Sequence, residues 1–288
     1  MKKIRLLAGL FLFSLCGYSQ TVSLGIRGGL SIPNIVAGGD NPLSKGYSSR
    51  IAEDGGIFAE LGINNYVAFR LGVEYSGQGG KRNGIQAIPA DQIMSGITAG
   101  MGGGNMPGMD AILGQIASGM PEIIYADVKN TADFDYLMIP VSLQIGTNAN
   151  SRWRVYANAG PFVSFLLHGK QTTEGQSKIY TDAGKSRTLW DNIPAAMQPV
   201  IEGGVPQLAY VLQNGTDFGS TEVITRELNP VNAGVQGDIG LSYRHEQHRI
   251  FIEIGGNYGF VKMQKDQSNG SNRIGAATVM LGYAIQLK

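Results

Sequence analysis

Two of the three histidines lie close enough in sequence to suggest metal binding. His245 and His248 enclose the sequence His-Glu-Gln-His, which superficially offers two metal ligands. In helical zinc sites the helix itself brings such ligands together, whereas the residues here have the pattern of a tight turn between two strands. We therefore interpret the pair as a solvated turn and predict neither a metal site nor a cofactor.

His168 is the third candidate, because it lies at the end of a predicted strand with the parity of the polar face. Asp54, Asp133 or Asp135 could orient its ring, as the aspartate does in a serine–histidine–aspartate triad. A hydrolase or acyltransferase that uses this histidine is thus one functional alternative. A histidine facing water is the simpler interpretation, so we predict no catalytic residue and no enzyme activity.

Charged residues of both signs occur at alternate positions of predicted strands. The eight residues are Arg27, Glu60, Arg70, Glu74, Arg154, Asp238, Arg244 and Glu253. Alternation directs them all to the polar face of their strands. A lone buried charge costs several kcal/mol, so charges enclosed on such a face are expected to pair. We predict a structural charge network rather than a catalytic acid–base pair or an ion path.

The strands that position these residues are clearest in residues 231–262. Apolar residues alternate there with polar ones along two runs joined by a very short turn, which gives each run one apolar and one polar face. Each run reaches the roughly 9–11 residues that a tilted strand needs to cross a bilayer. A soluble sandwich rarely sustains the alternation for so long, so the hairpin favours a membrane barrel with a polar lumen.

The chain contains eight such runs, joined alternately by long links and tight turns. This alternation is typical of outer-membrane barrels, whose periplasmic turns are short and extracellular loops long. We predict an all-β fold, an eight-stranded antiparallel up-and-down transmembrane β-barrel over residues 20–288, with short helices in its long extracellular loops. Eight strands enclose only enough room for side chains, so a narrow porin-like pore is a less favoured alternative.

The N-terminal residues predict export. Lys2, Lys3 and Arg5 precede an apolar run over residues 6–15 and a small-residue exit, which is the pattern of a secretory signal peptide over residues 1–19. The only cysteine, Cys16, lies inside this leader, so no disulfide framework is expected in the mature chain. The formal net charge of +1 gives no reason to expect a nucleic-acid partner.

Two long insertions, at about residues 79–133 and 169–230, interrupt the strand pattern. The first is rich in methionine and has apolar residues at helical spacing on either side of Gly103 and Gly104. These residues are Ile93, Met94, Ile97, Ile112, Leu113 and Ile116. Exposed together they would form an apolar patch of the kind that marks interaction sites. We predict two short helices that cover the barrel mouth and contact a protein partner; packing within the loop and contact with the outer leaflet are the alternatives.

Several short motifs resemble those of a known family. They are GIRGGLSIPN at 25–34, YLMIPV at 136–141, AGPF at 159–162 and the closing LGYAIQL at 281–287. In these the chain resembles the PorT-like outer-membrane β-barrel proteins, often described only as porin family proteins. The resemblance implies residence in the outer membrane of a Gram-negative cell envelope, contact with its lipid, and handling by the barrel-assembly machinery during biogenesis. It carries over no catalytic residue.

Overall fold

A closed ring of eight antiparallel strands forms the body of the protein. The computed structural model describes residues 21–100, 113–114, 116, 119–266 and 270–287; the predicted signal peptide, Cys16 and Ile112 lie outside these residues. The ring strands are β1 (Thr21–Ala37), β2 (Ala52–Gly62), β3 (Val67–Pro89), β4 (Ile123–Gly146), β5 (Trp153–Glu174), β9 (Val231–His245), β10 (His248–Gly259) and β11 (Asn272–Gln286). Each pairs with its neighbour along the chain, and β11 pairs with β1 to close the ring.

The predicted fold is therefore confirmed. In the part of the barrel that crosses the membrane, the strands have the two expected faces, apolar outside and polar inside. Apolar side chains such as Ile26, Leu71 and Ile239 are exposed on the outside of the barrel. Aromatic side chains also contact each other there, with the Trp153 and Tyr243 rings 5.0 Å apart near the tight-turn end. In water this surface would be costly, whereas lipid accepts it. Among the described residues, no helix is long and apolar enough to cross a membrane.

The strands β3, β4 and β5 extend well past the membrane. They are 23, 24 and 22 residues long, about twice what crossing a bilayer requires. Much of the two predicted insertions is therefore strand, including residues 79–89 and 123–133, and this part of the sequence interpretation was wrong. Only residues 90–122 and 175–230 separate β3 from β4 and β5 from β9.

The polarity of β4 reverses along its length while its side-chain parity does not change. Between Leu137 and Ile145 the outward residues are apolar, as lipid requires. Further out, the outward residues include Asp127, Lys129 and Asp133, and the inward ones are buried and mostly apolar: Ile124, Ala126, Val128, Ala132 and Phe134. Outside the membrane the wall is thus built like a soluble sheet, with water outside and a core within.

Strand pairing is interrupted at Pro140. The β3–β4 ladder breaks between the pairs Leu71–Val141 and Glu74–Met138 and resumes in the same register. Proline lacks the N–H that a ladder hydrogen bond needs, which explains the break. A register shift in the β4–β5 ladder lies elsewhere, between Asp135 and Tyr136.

The α-helices of the described chain occur only in the two insertions. The first insertion begins with α1 (Ala90–Gly100), and residues 113, 114 and 116 are also helical. The second contains α2 (Gln198–Gly204) and α3 (Pro206–Asn214). It also contains the short strands β6 (Gln176–Ser177), β7 (Thr216–Asp217) and β8 (Ser220–Val223). We call residues 90–122 and 175–230 together the cap.

Candidate functional site

Glu253 is the centre of a charge network that crosses the barrel lumen. Its carboxylate is fully buried and accepts hydrogen bonds from Arg27 Nη1 at 2.9 Å and Arg70 Nη1 at 2.6 Å. Tyr156 Oη and Asn158 Nδ2 donate to the same carboxylate at 2.9 and 3.0 Å. The donors come from β1, β3 and β5, so this one side chain on β10 joins strands that are not neighbours.

The other glutamates complete the network through paired contacts. Glu74 binds Arg27 through both oxygens, at 2.9 and 2.8 Å. Glu60 accepts from both Nη atoms of Arg249 at 2.8 Å and from Arg70 at 3.2 Å. Two-point guanidinium–carboxylate contacts are strong and directional, which fixes the side chains as well as their charges. These five charged side chains, together with Glu253, form three positive and three negative groups.

Of the other residues predicted for this network, Asp238 forms a longer ion pair with Arg27, whereas Arg154 and Arg244 have different partners. Asp238 lies 3.6 Å from Arg27 Nη1, and its Oδ2 has no hydrogen-bond partner among the described residues. Arg154 donates to the carbonyls of Thr147 and Tyr66 instead of to a carboxylate. Arg244 likewise donates to the Ala149 carbonyl and to Gln286. The expectation that both arginines pair with lumen carboxylates was wrong, because both lie beside the periplasmic turns, where carbonyl groups are within reach.

Sequence reasoning also missed members of the network. Arg249, which pairs with Glu60, was not among the predicted residues. Tyr156 and Asn158 share the inward parity of β5, and Gln144 donates to Glu60 and Asn158 from β4. Inward parity could have identified all four residues. Which of these side chains contact each other depends on the order and stagger of the strands around the barrel.

The lumen is tightly packed around the network. Two internal cavities beside the network have volumes of only about 10 Å³ each, room for about one water molecule apiece. Above them lies an apolar layer of buried side chains: Ile35, Ala132, Phe134, Tyr136, Leu228, Met263 and Ile274. The charges therefore lie below a layer of packed apolar side chains.

The two insertions share one hydrophobic core. Its buried members are Ile116, Ile124, Ile179, Leu189, Ile193, Ile201, Val205, Leu208, Ala209 and Leu212. Of the residues predicted to contact a partner, Ile116 belongs to this core, and Ile93, Met94 and Leu113 pack against it. Their apolar surfaces are thus engaged by the second insertion. Ile112 and the side chain of Ile97 lie outside what the structure describes.

The outer surface of the cap carries other apolar side chains. Val200 on α2, Tyr210 on α3 and Val223 on β8 are each more than half exposed. The strand β8 pairs with β5 on one side and is the last strand of the described sheet. A strand edge of this kind can accept another chain. The surface that the cap presents to solvent therefore differs from the one that the sequence suggested.

A polar turn over residues 182–187 supports one side of the cap. Ser186 Oγ and the backbone N–H of Ser186 donate to the Asp182 carboxylate, and they hold the pKa of Asp182 below its usual value. Lys185 pairs with Asp127 on the outward face of β4, and this hydrogen bond raises the pKa of Lys185. The turn is thereby attached to the extended barrel wall.

The histidines are exposed. His168 is opposite Asp135 in the β4–β5 ladder, but Asp135 accepts a hydrogen bond from Tyr75 and Asp133 pairs with Arg50. Asp54 accepts from Ser76 inside the lumen. His245 and His248 are paired across the tight turn, where His248 Nδ1 contacts the Tyr283 hydroxyl. Within the described residues, no group of three or more potential ligands is arranged to hold a metal ion.

Comparison with known proteins identifies a family. The model for the outer membrane protein beta-barrel domain matches residues 18–264, which is most of the chain. Comparison with curated proteins gives no match.

Among solved structures, the chain is similar to Neisserial surface protein A, with 12% identity, 92% of this chain and 99% of that chain covered, and a TM-score of 0.35. It is also similar to OprG from Pseudomonas aeruginosa, with 9% identity, coverage of 93% and 97%, and a TM-score of 0.35. The outer membrane protease OmpT from Escherichia coli gives 8% identity, coverage of 95% and 100%, and a TM-score of 0.39.

Proposed function

This chain belongs to the outer membrane protein beta-barrel domain family, and on that premise we propose that it is a non-conducting, non-enzymatic barrel that binds a protein partner through its extracellular cap. Its residence in the outer membrane follows from the family. The finer assignment to the PorT-like proteins is part of the proposal and rests on the short motifs quoted above. The proposed partner binding agrees with an accessory role in an outer-membrane assembly.

The shared core of the cap is the observation that carries this proposal. The barrel closes without residues 90–122 and 175–230, so the fold does not require them. Long loops without a structural task are uncommon unless they serve a function. Here the described parts of both insertions pack around ten buried side chains. An ordered surface costs less conformational entropy to bind than a flexible one, which favours a role in recognition.

The filled lumen supports binding over transport. A charged interior can conduct only where water and ions can enter, and the apolar layer around Phe134 lies between the network and the extracellular side. The exposed position of His168, with its candidate carboxylates engaged elsewhere, gives an enzyme mechanism no support. The pore and the rim hydrolase or acyltransferase thus remain the less favoured alternatives.

A pair of matched substitutions tests the partner surface. Tyr210→Glu puts a charge on the exposed face of α3, and Ile51→Glu makes a similar change in the first extracellular loop, outside the cap; both side chains are more than 60% exposed. Cells would be crosslinked intact, extracted in mild detergent, and the proteins recovered with each barrel quantified. We expect Tyr210→Glu to remove proteins that the wild type and Ile51→Glu retain.

A recovery that is the same for all three proteins would count against a partner at α3. Replacing residues 90–120 by a Gly-Ser linker then tests the whole cap. The barrel should remain folded and migrate differently on gels with and without heating, while the bound partners disappear. A linker variant that keeps every partner would overturn the proposal.

A further inference from the structure

A cavity of about 620 Å³ lies beneath the cap, outside the filled part of the lumen. The inner wall of the extended strands β3, β4 and β5 forms one side, and α1, α3 and β7 form another. Residues of the first and last extracellular loops, including Tyr47 and Met263, complete its lining. Its volume is in the range of roughly 300–1,000 Å³ that is usual for small-molecule sites.

Apolar side chains form one part of the lining of this cavity. Phe134, Leu228 and Met263 belong to the apolar layer below it and are buried. Val211 and Phe218 line it from the cap. The flat ring of Phe134 can pack against an apolar ligand. The flexible side chain of Met263 can adapt to the shape of such a ligand. This part of the lining therefore suits the apolar body of a ligand.

Two buried polar side chains also line the cavity, Gln86 and Asn130, and the Gln86 amide already donates to the Val128 carbonyl at 2.5 Å. Asn130 lines the cavity from β4 and is only 3% exposed. Its Nδ2 donates to Thr173 Oγ1 at 3.0 Å, whereas its Oδ1 is buried and has no hydrogen-bond partner among the described residues. Buried polar groups are normally paired, so this amide can hold a polar group of a ligand. A hydroxyl group suits it, since a hydroxyl both donates and accepts.

The charges around the cavity disfavour an anion. Asp217, Glu222 and Glu227 line it with exposed side chains. Arg82 also contributes to the lining, but its guanidinium lies over the Tyr47 ring, 4.5 Å from the ring centre, and donates to the Leu43 carbonyl at 3.2 Å. The acidic side chains thus outnumber the one arginine, which is already occupied. An incoming anion would be repelled.

We propose that this cavity is a binding site for a small uncharged molecule that has a flat apolar body and a hydroxyl group, with Asn130 as the polar contact. The site is independent of the partner surface on the outside of the cap. It lies on the extracellular side, so its ligand would reach it from the medium.

Three naphthalene derivatives probe each part of this proposal on the full-length protein in lipid nanodiscs. Naphthol has the body and the hydroxyl, methoxynaphthalene has the body without the donor, and naphthoate carries a negative charge. Binding would be measured by saturation-transfer NMR, with empty nanodiscs subtracted to remove partitioning into lipid. We expect naphthol to bind about tenfold more tightly than methoxynaphthalene, the effect of one hydrogen bond, and naphthoate to bind most weakly.

Variants separate this site from the lipid and from other surfaces. Asn130→Leu should lower naphthol affinity to that of methoxynaphthalene without changing the latter. Ala87→Phe and Val211→Phe, which fill the cavity from opposite sides, should abolish binding of all the probes. Asn83→Leu is the matched control, because Asn83 is exposed on β3 outside the cavity lining. Heat-dependent gel migration confirms that each variant is folded.

Several results would overturn the proposal. Naphthoate binding as tightly as naphthol would reject an uncharged ligand. Equal naphthol affinity in Asn130→Leu and wild type would reject the polar contact. Folded cavity-filling variants that still bind, or a wild type that binds no probe, would reject the cavity as the site.

Discussion

Nη1 of Arg70 lies 2.6 Å from Oε1 of Glu253, and both side chains are almost completely removed from solvent. The two residues belong to β3 and β10, which are not neighbours in the sheet, so their contact crosses the lumen. The Arg70 guanidinium also lies 4.4 Å from the centre of the Phe58 ring. The barrel is thus held across its interior as well as around its circumference.

Loss of Glu253 should destabilise the barrel far more than loss of Asp238. Glu253→Ala leaves Arg70 and one contact of Arg27 buried without that carboxylate, at a cost of roughly 3–5 kcal/mol in the free energy of unfolding. Asp238 makes only a 3.6 Å ion pair, so Asp238→Ala should cost much less. Denaturant titrations followed by gel migration would measure both. Equal losses for the two variants would contradict the central role of Glu253.

Truncation of the cap core should loosen the cap and leave the barrel intact. Leu208 is completely buried on α3, and Leu208→Ala should cost the cap about 2–5 kcal/mol. Residues 175–230 should then be cleaved faster by protease, while heat-dependent migration of the barrel is unchanged. Val200→Ala is the control, since Val200 is 54% exposed on the adjacent helix. The idea of a separate core fails if both variants resist protease like the wild type.

The protein should not conduct ions, with or without its cap. The seal lies in the barrel itself, at the apolar layer and the charge network below it. Planar-bilayer recordings should therefore show no stable conductance steps for the wild type or for the variant with residues 90–120 replaced. Steps in the variant alone would identify the cap as a gate, and steps in both would restore the pore alternative.

The turn over residues 182–187 should lose order in acid. The Asp182 carboxylate has a lowered pKa because Ser186 donates to it, so its ionised form stabilises the folded turn. This contribution is present above the ordinary pKa of an aspartate, about 3.9, and is lost as pH falls through the lowered value. NMR titration of the side-chain carbon would measure the shift. Ser186→Ala should raise the pKa of Asp182; an unchanged titration would show that the hydroxyl contributes nothing.

The membrane-crossing half of the barrel could be predicted from sequence because its rule is simple. Lipid requires apolar outward residues, and a period of two then identifies each strand, its inward residues and the alternation of turns and loops. The inward position of Arg27, Glu60, Arg70, Glu74 and Glu253 followed directly. Their partners did not, because contacts across a lumen depend on strand order and stagger, which parity does not contain.

The extracellular half was harder to predict because a different rule applies there. Beyond the membrane the apolar residues of β4, such as Ile124 and Val128, face inward, so the pattern expected for a lipid-facing strand is absent. These segments were therefore interpreted as loop. The shared core of the cap was also hidden, since it joins α1 to residues such as Leu208 in the other insertion. Helical spacing identifies an apolar face but not what covers it.

The reversal of polarity along β4 also sets how deeply the barrel is immersed. Asp135 faces outward and Leu137 is the next outward residue, so the change from water to hydrocarbon falls within one step of the strand. Moving the protein outward would expose Leu137 to water, and moving it inward would bury Asp135 in hydrocarbon. The height of the cap above the cell surface is therefore fixed by the outer face of the wall beneath it, independently of anything that the cap binds.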